Sequence, residues 1–201
     1  MSTSEIRALA RSLLELCKAR RLTIATAESC TGGLVAGALT EIAGSSAVVM
    51  CGFVTYSNEA KHELLGVKQD TLANFGAVSK ETALAMVSGG LKKSKTDLIV
   101  SITGIAGPGG ATPGKPVGLV HFGAASRDGR VLHLERRFGA IGRSAVRQRS
   151  VIEALKLLSE LARGPKSKKT ARLMPASGGR ARPRVARKVS KVLTRRRPGR
   201  P

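Results

Sequence analysis

Apolar residues return early in the chain at Ile6, Leu9, Ala10, Leu13, Leu14 and Cys17. Steps of three and four predict an amphipathic helix over residues 4–20. Leu22 to Ala27 favours a short strand. Gly32 and Gly33 break the pattern, and an apolar helical segment follows to about Ala43. Val48 to Tyr56 has the β-branched, apolar content of a buried strand. Asn58 to Leu65 predicts a short helix, capped by Ser57 or Asn58 and stopped by Gly66. Ser79 caps the next helix, with Glu81 in its first turn where the helix dipole favours negative charge. Its apolar stripe is Ala83, Met86, Val87, Gly90 and Leu91. Leu98 to Thr103 is a strand, and 104–116 is a Gly/Pro loop. Val117–Ala125 and Val131–Phe138 flank an Arg127-Asp128-Gly129 turn, which predicts a hairpin. The last helix, from about Gly142 to Ala162, buries Val151, Ala154, Leu155, Leu158, Leu161 and Ala162.

Strands alternate with helices until the hairpin. That order predicts a mixed sheet with helices on both faces, helix-linked strands parallel and the hairpin antiparallel. Ligands in such sheets bind beyond the ends of the parallel strands. No internal repeat interrupts the order.

Composition changes this picture at one place. The chain has 201 residues and a net charge of +22. Residues 164–201 hold 14 of the 35 Lys and Arg and none of the 13 Asp and Glu, so they carry +14 and leave +8 for residues 1–163. We therefore read a folded domain at 1–163 and a disordered Lys/Arg-rich tail at 164–201, too poor in apolar residues to fold alone. The tail could neutralise nucleic-acid phosphates without specificity, or serve only as a solubilising segment. Cys17, Cys30 and Cys51 have no C-x-x-C spacing, which argues against zinc and disulfides. No signal peptide or membrane-length apolar run is seen, so a cytoplasmic protein away from membranes is expected. Homo-oligomerisation is left open.

Three segments could carry chemistry, each leaving a predicted strand. They are 26–33 (Thr-Ala-Glu-Ser-Cys-Thr-Gly-Gly), 56–61 (Tyr-Ser-Asn-Glu-Ala-Lys) and 103–110 (Thr-Gly-Ile-Ala-Gly-Pro-Gly-Gly). Ser29 reads as a helix N-cap, or as a nucleophile whose oxyanion would be met by helix N-terminal N–H groups. A serine nucleophile needs a base. His62, His121 and His133 are poorly placed for one. Lys61 can serve if burial or nearby positive charge keeps it neutral, with Tyr56 as proton relay. The alternatives are a solvated lysine and a packed aromatic. Cys30 would point away from Ser29 and reads as a small buried apolar residue. The 104–110 loop lacks the spacing of a phosphate-binding glycine loop.

These residues resemble the nicotinamide-nucleotide amidase (CinA C-terminal) family. Ala27–Gly33 is similar to its AESCTGG motif. Residues 56–61, followed by Leu64-Leu65-Gly66-Val67, are similar to its YSNEAK…LLGV segment. Gly76–Ser79, Thr103–Gly110 and Lys115–Val120 follow in the family's order, and the resemblance spans residues 5–162. It implies an α/β/α sandwich around a mixed, mostly parallel five-stranded sheet. It implies hydrolysis of nicotinamide mononucleotide to nicotinate mononucleotide and ammonia, with no metal or organic cofactor. Ser29 takes the nucleophile's position, and Tyr56 and Lys61 those of its activators. Thr31, Gly32, Gly33, Asn58, Thr103 and Gly104 are the expected substrate contacts. Arg143 and Arg147, four apart on one helix face, are expected to hold the substrate phosphate. The chain departs from the family at Gly142, where an Asp, Asn or Ser usually precedes the arginine. A catalytically inactive module held on nucleic acid by the tail is the alternative function.

Overall fold

The computed structural model describes residues 3–164. The helices are α1 (Thr3–Arg20), α2 (Leu34–Thr40), α3 (Asn58–Leu65), α4 (Gln69–Phe75), α5 (Lys80–Ser94) and α6 (Arg143–Arg163). The strands are β1 (Ile24–Glu28), β2 (Val49–Val54), β3 (Leu98–Gly104), β4 (Leu119–Ser126) and β5 (Val131–Arg137). The sheet order is β2-β1-β3-β4-β5. β1 is parallel to β2 and to β3, while β3–β4 and β4–β5 are antiparallel. The expected mixed α/β sheet is thus present, with only β4 running against the rest. The tail expected at 164–201 lies outside the described residues apart from Gly164.

Alternation along the strands separates two apolar layers. Leu98, Val100 and Ile102 of β3 join Val120 and Phe122 of β4 against α1, α2 and α6. Ile99, with Ala25 and Ala27 of β1, faces the other way, toward Leu65, Met86 and Val87 of α3 and α5. Burying each of the larger side chains stabilises the fold by about 1.5–3 kcal/mol. Small residues set how close the second layer comes. A Cβ on Gly89 of α5 would stand 1.6 Å from the Leu65 carbonyl oxygen. Only glycine lets the end of α3 lie against α5, and α3 carries Lys61.

Two helices differ from expectation. α2 ends at Thr40 rather than near Ala43, where Ser45–Ala47 forms a 3-10 turn. α4 falls in a segment for which the pattern predicts no element, because its residues show no full apolar stripe and none of them is buried. Among the described residues, no helix is long and apolar enough to cross a membrane.

Candidate active site

β1 ends at Glu28, and the next residue stays tied to the sheet. The Ser29 N–H donates to the Ile102 carbonyl at 2.9 Å, and the Thr55 N–H donates to the Glu28 carbonyl at 2.8 Å. The turn then bends back through Gly32 and Gly33, at φ 59° and 93°, which favours glycine at both positions. Ser29 is left nearly buried at 8% exposure.

Lys61 reaches this hydroxyl from α3. That helix begins where the Ser57 side chain accepts the Ala60 N–H at 3.0 Å, and it stops at the left-handed Gly66. Lys61 lies on its inner face, 1% exposed. Its Nζ is 3.1 Å from Ser29 Oγ. It also donates to the carbonyls of Thr55 (2.9 Å), Tyr56 (3.3 Å) and Ser57 (3.3 Å). Among the described residues, no carboxylate forms an ion pair with it. Burial lowers its pKa from the ordinary lysine value, against the pull of Cys30 and Glu59. As a neutral amine it has two N–H groups for two of these carbonyls and a lone pair that can take the Ser29 proton; as an ammonium it has one N–H for each of the three carbonyls.

The Glu28 carboxylate, missed in the sequence, is fully buried and fills the start of α2. It accepts the N–H groups of Gly33 (3.0 Å), Val35 (3.1 Å) and Ala36 (2.9 Å). The start of α2 is therefore occupied by the protein's own acid and does not offer the free donors expected there. Gly32 and Leu34 donate to Ser29 and Thr31 carbonyls. The N–H groups of Cys30 and Thr31 remain. Among the described residues, no oxygen accepts either of them. A carboxylate just ahead of a Gly-Gly helix entry was the available signal for Glu28, through its match to the helix dipole.

The remaining expected residues distribute unevenly. Tyr56 contributes its carbonyl to Lys61, but its side chain is 60% exposed and its Oη accepts Arg143 Nη2 at 2.9 Å. Arg143 also donates to the Gly107 carbonyl at 3.1 Å, joining β2's end to the 104–118 loop. Arg147 donates to the Thr31 carbonyl at 2.8 Å, and its buried Nε has no protein partner among the described residues. Arg147 thus stands at the Ser29 turn and Arg143 between Tyr56 and Gly107, on a helix that starts at Arg143 although Gly142 gives no side-chain cap. Thr103 spends its hydroxyl on the Ala77 carbonyl at 2.7 Å. Gly104 is needed for packing, because a Cβ there would meet the Leu119 carbonyl at 2.8 Å. Asn58 is exposed and lines a hollow with Glu59, His62 and Gln69 that includes neither Ser29 nor Lys61.

The rival nucleophile and the histidines stand aside. Burial pushes the Cys30 thiol up to about 12, so it is not a thiolate at neutral pH. His62 bonds to the Val67 carbonyl, and His121 and His133 bond to each other. Among the described residues, no cluster of His, Cys, Asp and Glu could hold a metal ion.

Known proteins share this architecture. The crystal structure of a competence/damage inducible protein from Agrobacterium tumefaciens superposes with a TM-score of 0.77 at 55% identity, covering 78% of this chain and 95% of that one. The nicotinamide-nucleotide amidohydrolase PncC of Escherichia coli K12 is 47% identical over 158 residues, 79% of this chain and 95% of its own length. A CinA-like protein from Chloroherpeton thalassium is 62% identical over 112 residues, but this chain spans only 27% of its length. The model of the CinA C-terminal domain matches residues 6–162, and on that extent of agreement the chain belongs to the CinA C-terminal domain family.

Proposed function

We propose that the chain is a nicotinamide-nucleotide amidohydrolase that uses Ser29 as nucleophile and Lys61 as its base. The single observation that carries this reading is the contact, at 3.1 Å, between Ser29 Oγ and a buried lysine that forms no ion pair among the described residues. Keeping such a lysine costs stability, so its retention argues for chemistry rather than packing. The amidohydrolase PncC, similar over nearly its whole length, supports the substrate class.

Ser29 Oγ attacks the carboxamide carbon as its proton moves to Lys61 Nζ. The N–H groups of Cys30 and Thr31 hold the oxyanion. Lys61 then passes the proton to the departing nitrogen, the C–N bond breaks and ammonia leaves. Water attacks the Ser29 ester and gives its proton to Lys61. The carboxylate product departs as Ser29 is reprotonated. Lys61 meets Ser29 directly, so the Tyr56 phenol need not relay the proton. We assign the phenol to holding Arg143, which with Arg147 meets the substrate phosphate.

The test is incubation with nicotinamide mononucleotide, read by ammonia release and by intact mass. Wild-type protein should release ammonia, and a mass increase matching the nicotinoyl nucleotide should appear on Ser29 when the reaction is quenched early. No ammonia from wild type would overturn the substrate. Full activity in Ser29→Ala would overturn the nucleophile.

A further inference from the structure

The opposite end of the sheet from Ser29 gathers most of the domain's net charge. The last turns of α1, α5 and α6, the entries to β1 and β3, and the β4–β5 turn all lie there. Together they comprise residues 18–23, 92–97, 127–130 and 160–163. These segments contain Lys18, Arg20, Arg21, Lys92, Lys93, Lys95, Arg127, Arg130 and Arg163 against Asp97, Asp128 and Glu160. Nine cations and three carboxylates make six of the eight net positive charges of residues 1–163. Asp97 is already engaged by the N–H and hydroxyl of Thr23, at 2.8 and 2.7 Å. Asp128 is chelated by Arg130.

The helix dipole accounts for cations in a last turn. It does not account for the two residues just past α1 and α5. Arg21 and Lys95 sit at φ 53° and 56°, where glycine is the low-energy choice for ending a helix. A side chain in that conformation costs about 1 kcal/mol. A positive charge stands at both places where the backbone would favour glycine. The cations are also arrayed along a surface rather than gathered around one point. A hollow of about 370 Å³ is bordered by Arg20, Arg127 and Arg130, and one of about 760 Å³ by Arg130, Lys156 and Arg163. An extended array suits a polymer of phosphates better than one small anion. Val131 is the one large exposed apolar side chain beside these hollows among the described residues, which gives little to insert into lipid.

We propose that this end of the domain is a nucleic-acid-binding face that engages the phosphodiester backbone without reading sequence. β1 separates it from Ser29 by roughly 17 Å of strand, so a duplex can be held while the amidase site stays open. The face belongs to the folded domain and does not depend on residues 165–201 or on the amidase reading.

The experiment uses residues 1–164 beside the full chain. Relatives of the domain's length crystallise without a tail, which supports its folding alone. The probe is a labelled random-sequence DNA duplex, titrated at several salt concentrations. Residues 1–164 should bind at low salt, and Arg21→Gly/Lys95→Gly/Arg127→Gln/Arg163→Gln should weaken that binding at least about tenfold. The salt dependence of log K should flatten by about three units. Arg7→Gln/Arg11→Gln/Arg149→Gln, which removes cations elsewhere, should stay within about twofold. The two glycine substitutions relieve strained positions, so unfolding would not explain the loss, and ammonia release should be unchanged. Equal losses in both variants, no binding by residues 1–164, or retention by anionic phospholipid vesicles in place of duplex would each overturn the proposal.

Discussion

The two ends of the sheet treat positive charge in opposite ways. Beside Ser29, Lys61 is taken out of water with three carbonyls and a hydroxyl around it and no carboxylate in reach. At the far end, Arg21 and Lys95 keep their charge in solvent while their backbone takes the strain. Both arrangements cost local stability, but by different physics. One is a desolvated amine and the other a crowded φ angle. Removing the crowded angle should therefore raise stability, whereas removing the amine should abolish catalysis and change how stability depends on pH.

The largest expected effect is on Ser29→Ala, which should lower kcat for ammonia release by about a thousandfold or more while leaving the unfolding midpoint near wild type. Next comes Lys61→Met. It should lower kcat by about a hundredfold to ten-thousandfold, and its stability relative to wild type should depend on pH, because relief of the buried charge is set against the contacts that the Thr55 and Tyr56 carbonyls lose. The sign follows from linkage. The folded lysine's pKa lies below its unfolded value, so the cost is fully present below the folded pKa. It fades as pH rises between the folded and unfolded values. The stability of Lys61→Met relative to wild type should therefore fall as pH rises through that window. The wild-type kcat/KM should rise with pH through the folded pKa, and the variant should lack that limb. A relative stability that does not change with pH would mean that Lys61 is not held at a cost.

Glu28→Ala should be intermediate. Three N–H groups lose their acceptor, at about 1–3 kcal/mol for each group left unsatisfied. We expect a loss of at least about 2 kcal/mol in melts and about a tenfold fall in kcat, because the Ser29 turn is no longer anchored. Tyr56→Phe should raise KM a few-fold through Arg143 and leave kcat nearly unchanged, whereas a relay role would move kcat. Smallest of all, Arg21→Gly should add about 0.5–1 kcal/mol of stability with no change in amidase rate.

How far these features could be read in advance depended on whether they were local. α3 was legible to the residue, because Ser57 and Gly66 are written into the chain as a cap and a stop. The order of strands and helices was legible for the same reason. α4 was not, since only tertiary contact with α5 holds its weak apolar face. Lys61 was a candidate base from the residues, with a solvated lysine as the alternative, and the family resemblance favoured the first. Its burial is fixed by the path of residues 55–57, and a lysine on a short helix otherwise reads as solvated. Glu28 lies one residue past the strand expected over Leu22–Ala27 and is the last residue of β1, so its job at the start of the next helix became visible only when the turn folded back over it. Arg143 and Arg147 were picked out through the family resemblance and their shared helix face, but their separate anchors on Gly107 and Thr31 belong to the fold.

The grip on Lys61 comes from the main-chain oxygens of three consecutive residues. Every L-amino acid supplies the same oxygen, so no point substitution at positions 55, 56 or 57 can delete it. Side chains there answer to other duties, the Ser57 cap of α3 and the Tyr56 contact with Arg143 among them, and only a change in the route of the backbone would take the oxygens away from the base.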